Sequence, residues 1–256
     1  MHSWNATTYL QFKIERTRPA VDLASRIPLD DPKTVLDIGC GPGNSTAVLR
    51  ERFPNATIIG IDNAPDMIAK AKEAYPDMTF FCIDVDKYIA TTDERFDVVF
   101  SNACLQWLPD HKAVLPKWMG LVKEGGVLAV QMPNNYAEPI HRIIEALTTS
   151  DAWRPHFHVM REKTVLSASE YYDCLVENAA HVDLWETAYY HTLSSHQDLL
   201  EWYRGTGLRP YLEQLNDTQQ KEFEADFLSA VKEAYPIQAD GTILFRFPRL
   251  FFVAAK

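Results

Sequence analysis

No stretch of this chain approaches the ~18 consecutive apolar residues of a membrane-spanning helix. The opening MHSWNATTYLQFKIER also lacks a long apolar core and a small-residue cleavage site, so no signal peptide is read and the expected compartment is the cytoplasm. Cysteine is scarce and scattered. Cys40, Cys82, Cys104 and Cys174 form no CxxC and no Cys/His ligand set, which leaves neither a zinc site nor a disulfide framework and points to buried free thiols. Basic residues are outnumbered, 25 Lys and Arg against 35 Asp and Glu, for a net charge of −10. Nucleic acid is therefore a poor partner, because phosphate binding needs a basic surface that releases counterions, although a local basic pocket stays open. Internal repeats and low-complexity tracts are absent too.

What is present is an ordinary globular composition, 46% hydrophobic and 23% charged, over 256 residues. That length allows one large domain, 1–256, or a domain with a sizeable insertion. From 33 to 133, short apolar runs alternate with amphipathic stretches, the pattern of βα units that feed a parallel sheet. The strand candidates are TVLDI (34–38), TIIGI (57–61), TFFCI (79–83), FDVVFS (96–101) and GVLAVQM (126–132). Pro65 opens a helix whose Met67, Ile68, Ala71 and Tyr75 share one face, and Pro76 stops it. After Pro133 the alternation yields to an aromatic-rich helical region, read as a cap or insertion over the sheet at about 134–184. Strand-like runs return at 185–193 and 244–254.

The strongest motif is VLDIGCGPG (35–43), a buried strand that breaks into Gly39, Gly41 and Gly43 before a helix. Glycine there lets the backbone turn sharply and approach a ligand where a Cβ would clash. Dinucleotide enzymes share such a turn. Asp37, just before it, can accept from the ammonium end of a methionine moiety and would repel a pyrophosphate. Asp62 closes the next strand about 20 residues on, where an acid accepts both ribose hydroxyls; that also suits NAD. Asp84, at the end of the third strand, can accept from an adenine amino group. Three acids at successive strand ends fit S-adenosylmethionine (SAM), which has a cationic end and no phosphate, better than NAD.

VLDIGCGPG, IGIDNAPDMI and CIDVD resemble the first three motifs of class I SAM-dependent methyltransferases. That resemblance implies a Rossmann-like α/β sheet, mostly parallel with an antiparallel carboxyl-terminal strand. It also implies a cofactor site of Asp37, Gly39, Gly41, Asp62, Asn63, Met67, Asp84 and Val85, joined by Asn102 and Ala103 from the fourth strand. Met67 and Val85 would flank the adenine with apolar surface.

The fourth strand runs into SNACLQWLPDH (101–111) and lacks the Asn-Pro-Pro-aromatic motif of many amide and exocyclic-amine N-methyltransferases. A carboxylate acceptor, ionised at neutral pH, needs no general base. The chain is similar over nearly its full length to the bacterial trans-aconitate 2-methyltransferase family. The matching stretches are WNATTYLQFKIERTRPA (4–20), GCGPGNST (39–46), SNACLQWLPDH, GVLAVQMPNN (126–135), TGLRPYLEQL (206–215) and YPIQADGTILFRFPRLFFVA (235–254). The cap around 137–165 matches poorly.

That family implies monomethyl esterification of trans-aconitate, a small polycarboxylate, with S-adenosylhomocysteine (SAH) as the other product. Such an acceptor needs a guanidinium fork on an acidic protein. Arg16, Arg209 and Arg249 lie in matching stretches, and Arg154 and Arg161 in the cap. Tyr9, Phe12 and Arg16 share a helical face. Trp107, Gln131, Tyr190, His191 and Tyr211 are further pocket candidates. His156 and His158, an i, i+2 pair without further ligand spacing, read as surface residues, so neither a metal nor a catalytic base is expected. The open alternatives are another small carboxyl or oxygen acceptor, an NAD(P)-dependent oxidoreductase and a non-catalytic SAM-binding protein. Oligomeric state is not legible.

Overall fold

The computed structural model describes residues 13–160 and 162–256, with side chains from Thr17 onward. Helix α1 (Lys13–Ser25) leads into four βα steps and a fifth strand. These are β1 (Thr34–Ile38), α2 (Asn44–Arg52), β2 (Thr57–Asp62), α3 (Pro65–Ala74), β3 (Thr79–Cys82), α4 (Val85–Thr91), β4 (Phe96–Asn102), α5 (His111–Gly120) and β5 (Val122–Pro133). Then come α6 (Pro139–Thr149), α7 (Ala168–Val176), β6 (His181–Leu193), α8 (His196–Arg204), α9 (Arg209–Leu212), α10 (Asp217–Ala234) and β7 (Ile243–Ala255).

The described strands form one sheet in the order β3-β2-β1-β4-β5-β7-β6. The first five run parallel, and β7 is antiparallel to both β5 and β6. Neighbouring residues of each inner strand face opposite ways, and both ways are apolar. Leu36, Val99 and Leu128 pack with Leu115, Trp118 and Tyr171 on one side. Val35, Val98 and Ala129 pack with Leu23, Leu49 and Phe53 on the other. This explains why the strands read as continuous apolar runs and not as alternating ones.

The expected strands appear within a residue or two, with exceptions that have local causes. Strand β5 starts at Val122 instead of Gly126, because Val122 pairs with Phe96 of β4 and KEGG is taken up in a register shift before Val127, with Gly125 at φ +75°. Strand β6 starts at His181, four residues before the expected run, since pairing with β7 holds its polar beginning. All four cysteines are free, but only Cys40 is fully buried. Cys82 is exposed against expectation, because β3 is an edge strand with one face open.

A separate apolar cluster caps the β5/β7/β6 end. Ile140 and Ile144 of α6, with Trp153 and Phe157, pack against Trp202, Tyr203, Phe223 and Phe227 and against Phe245 and Phe247 of β7. Helix α7 instead packs through Tyr171 and Leu175 into the cluster beneath β4 and β5. No helix among the described residues is long and apolar enough to cross a membrane.

Candidate active site

Strand order reverses between β1 and β4, and open α/β sheets bind ligands outside the strand ends at such a switch. A cavity of about 380 Å³ lies there, within the usual range for small-molecule sites. The β1–α2 turn forms its floor. Gly39 sits at φ +71°, and a Cβ on it would come within 2.2 Å of Cys104 Sγ, so only glycine lets the β1 and β4 ends approach. Gly41, at φ +55°, presents its N–H to Asp62 Oδ2 at 3.0 Å.

Asp62 also accepts from Ala64 N through Oδ1 at 2.8 Å, which locks its carboxylate at the rim of the cavity. Each oxygen keeps a lone pair for a ligand hydroxyl. Burial raises its pKa, opposed by these backbone bonds. Asp84 caps α4, with Oδ1 accepting from Asp86 N and Lys87 N, and lines the same cavity. Asp37 lies behind the wall and not in it. Its Oδ2 accepts from Ser45 and Thr46 hydroxyls at 2.7 Å each, and burial pushes its pKa up to about 6.

Gly39, Gly41, Asp62, Asn63, Met67, Asp84, Val85, Asn102 and Ala103 all border this one cavity, and so does Trp107. Ala103 reaches it through a left-handed backbone, φ +55°, with its N–H donating to Gln131 O at 2.9 Å. The other expected residues fall differently. Gln131 is fully buried and accepts through Oε1 from Arg249 Nη1 at 3.3 Å; Arg249 itself lines the cavity. His191 stands behind two lining rings, Trp202 and Phe247, with centroids 5.0 and 6.0 Å away. Tyr190 is exposed and pairs across with Arg246, on the opposite face of the sheet from His191. Arg209 bonds Glu213 at 2.8 Å, and Tyr211 is packed in the cap cluster; neither borders the main cavity. Arg154 donates to Phe157 O at 2.7 Å. His156 meets Gln219, and His158 is exposed. Tyr9, Phe12 and Arg161 lie outside the described residues, and so does the side chain of Arg16. Among the described residues no group of three or more His, Cys, Asp or Glu can hold a metal ion.

Sequence reasoning missed the cap side of the wall. Asn135, Tyr136, His141, Tyr203 and Thr206 border the cavity, with Asn135 Nδ2 donating to Tyr203 OH at 3.1 Å. These residues come from the β5–α6 loop, from α6, from α8 and from the turn after it, and no spacing links them.

Five buried polar atoms that lack a hydrogen-bond partner among the described residues belong to residues in or behind the cavity wall. Near the β1 and β4 ends they are oxygens: Asp37 Oδ1, Asn102 Oδ1 and Gln106 Oε1. Toward β5 and β6 they are nitrogens, Gln131 Nε2 and His191 Nε2, beside the Arg249 guanidinium. Burial first, then the charges of Arg249 and Arg18, lower the His191 pKa to about 4, so its imidazole is neutral at pH 7. A buried group without a partner costs about 1–3 kcal/mol. The carboxylates of Asp62 and Asp84 line the β2 and β3 ends of the cavity and the Arg249 guanidinium lines its β7 side, so one end is suited to a cation and the other to an anion, which is what a sulfonium donor and a carboxylate acceptor present.

A family model described as "Methyltransferase domain" matches residues 35–126. The trans-aconitate 2-methyltransferase of Escherichia coli O157:H7 is 44% identical over 256 residues, which is all of this chain and 99% of that protein. The protein of the same name from Shigella flexneri is 43% identical over the same span. Among solved structures, the YcgJ protein of Bacillus subtilis has a TM-score of 0.61 at 14% identity, covering 93% of this chain and 98% of its own. Phosphoethanolamine N-methyltransferase 2 of Haemonchus contortus, in complex with S-adenosyl-L-methionine, has a TM-score of 0.55 at 16% identity, with 93% and 52% covered.

Proposed function

The chain belongs to the trans-aconitate 2-methyltransferase family of SAM-dependent enzymes, and on that premise we propose that it esterifies one carboxylate of trans-aconitate, with Arg249 holding the acceptor. The observation that carries this reading is that the Arg249 guanidinium lines the same cavity as the Asp62 and Asp84 carboxylates. The relatives' name puts the methyl group on the 2-carboxylate.

Bound SAM supplies an electrophilic methyl group on a positively charged sulfur, which passes to a carboxylate oxygen as the carbon–sulfur bond breaks and SAH is left. The protein's own residues have four tasks. Asp62 accepts from the ribose hydroxyls and Asp84 from the adenine amino group, while Met67 and Val85 supply apolar flanks. Asp37 places a negative charge behind the glycine turn, where it attracts a cation through a low-dielectric wall. Trp107, Leu108, Val165 and Trp202 exclude water from the middle of the cavity. Arg249 donates to carboxylates that would otherwise be buried without a partner, with the Gln131 amide and the neutral His191 behind it.

No residue has to remove a proton, because the acceptor is already ionised at neutral pH. Pro139–Thr149 and His196–Ala234 together form the cap in this reading, since they share one apolar cluster over the acceptor end. The test is incubation of the purified protein with isotope-labelled SAM and a panel of small carboxylic acids, followed by mass spectrometry. A labelled monomethyl ester of trans-aconitate is expected; label on no acid would sink the reading.

A further inference from the structure

His111 closes the SNACLQWLPDH stretch and lies buried at the start of α5. Asp110 before it turns the chain through a left-handed φ of +46° and caps the helix, its Oδ1 accepting from Ala113 N at 3.2 Å. The His111 Nε2 lies 3.1 Å from Leu108 O, which can only accept, so Nε2 carries the proton and Nδ1 is left as the acceptor. Tyr171 OH of α7 donates to Nδ1 at 2.6 Å. The same hydroxyl oxygen accepts from Leu166 N at 3.3 Å and has Met132 Sδ at 3.1 Å beside it. Burial lowers the His111 pKa and raises that of Tyr171, so both groups are neutral at pH 7.

This chain of bonds joins two irregular segments that wall the cavity. Leu108, just after the 3-10 turn Leu105–Trp107, and Val165, in the stretch 162–167 that has neither helix nor strand, are half-buried and both border it. Outside helices and sheets the backbone has no repeating bonds to fix its place, so side chains must supply them. A second bond joins the same segments, with Thr164 Oγ1 donating to Gln106 O at 2.9 Å. Apolar side chains could fill the space of His111 and Tyr171 in the cluster that also holds Leu108, Val165 and Leu166. What a fully satisfied polar pair adds is a single arrangement, because any other leaves a buried group without a partner. Methyl transfer needs aligned reactants with water kept away, and a misplacement of about 1 Å can cost on the order of a hundredfold in rate.

We propose that His111 and Tyr171 are positioning residues of the methyl transfer: their hydrogen bond sets the segments that carry Leu108 and Val165, and through them the wall that aligns the reactants and excludes water. Neither side chain borders the cavity itself, so both act through that wall. The inference rests on the proposed methyl transfer in this cavity but not on which residue holds the acceptor.

Tyr171→Phe removes the hydroxyl and keeps the ring that packs on Phe252. Steady-state kinetics with trans-aconitate at saturating SAM test it, beside hydrogen-exchange mass spectrometry of the peptide that contains Leu166. The expected result is a kcat lower by about tenfold or more, a KM for the acid within about threefold, and faster exchange at Leu166. A folded Tyr171→Phe with kcat within about twofold of wild type would leave the pair a role in the fold alone and overturn the proposal, as would a loss confined to KM. If thermal melting shows Tyr171→Phe to be unfolded, His111→Asn and His111→Leu take its place. Asparagine keeps an acceptor near the position of Nδ1 and should retain more of the wild-type kcat than leucine, which keeps none; equal losses overturn the proposal. Wild-type protein that methylates no acid would fail the proposed function, a different result from equal rates in an active wild type and its variant. Leu166 exchange then decides the inference, and exchange unchanged in Tyr171→Phe overturns it.

Discussion

Acidification should weaken cofactor binding through Asp37. Its carboxylate is fully buried, and burial outweighs the Ser45 and Thr46 hydroxyls to bring its pKa from 3.8 to about 6. A pKa raised by folding means that the ionised form costs stability: the contribution favours the empty protein at low pH and is lost as pH rises through about 6. A cationic ligand reverses this preference, because it favours the ionised carboxylate. If the carboxylate is ionised in the complex, affinity falls by a factor of one plus ten to the power of pKa minus pH. With a pKa of about 6 that factor is about 11 at pH 5 and about 1.1 at pH 7, a tenfold change or ~1.4 kcal/mol. Asp62, also raised by burial, acts in the same direction.

Calorimetry with SAH at pH 5 and 7, in buffers of different ionisation enthalpy, reads both the affinity and the protons released. Close to one proton should leave per SAH bound at pH 5. Asp37→Asn keeps an oxygen for the Ser45 and Thr46 hydroxyls and should flatten most of the slope. A wild-type affinity that is constant from pH 5 to 7, or an undiminished slope in Asp37→Asn, would refute the role given to this charge.

Two further predictions concern the cofactor end. Asp62→Ala removes the acceptor for Gly41 N and Ala64 N as well as for the ribose, and should weaken SAH binding by roughly 1.5–3 kcal/mol in calorimetry. Gly39→Ala forces a side chain onto a φ of +71° and against Cys104 Sγ, and should lower the thermal midpoint and abolish measurable SAH binding.

That the expected cofactor residues other than Asp37 border one cavity was legible because their motifs are local. Each aspartate follows its own apolar run, and the glycines stand together between β1 and α2, so position in the motif is position in space. The half proposed for the acceptor is not local. Gln131, His141, Trp202 and Arg249 come together only because β7 inserts antiparallel between β5 and β6 and α6 and α8 pack over that end.

Strand parity decided the rest. Tyr190 and His191 are neighbours, so one must face out and the other in, and only the pairing of His191 with Phe245 shows which. Arg249 points to the cavity by the same rule, one residue from Leu250 in the opposite core. Arg209 looked equally promising in sequence, but its place at the start of α9 puts its i+4 neighbour Glu213 within reach.

Steady-state kinetics of Arg249→Gln with trans-aconitate, beside SAH titrations of the same protein, test most directly the claim that this cavity joins a cationic donor to a polyanionic acceptor. Glutamine keeps hydrogen-bonding capacity at the position but removes the charge and the fork. The expected result is a fall in kcat/KM for the acid of about a hundredfold or more, on the scale of a lost buried charge pair, with SAH affinity within about twofold. Unchanged kcat/KM for the acid would contradict the claim and remove Arg249 from the acceptor site.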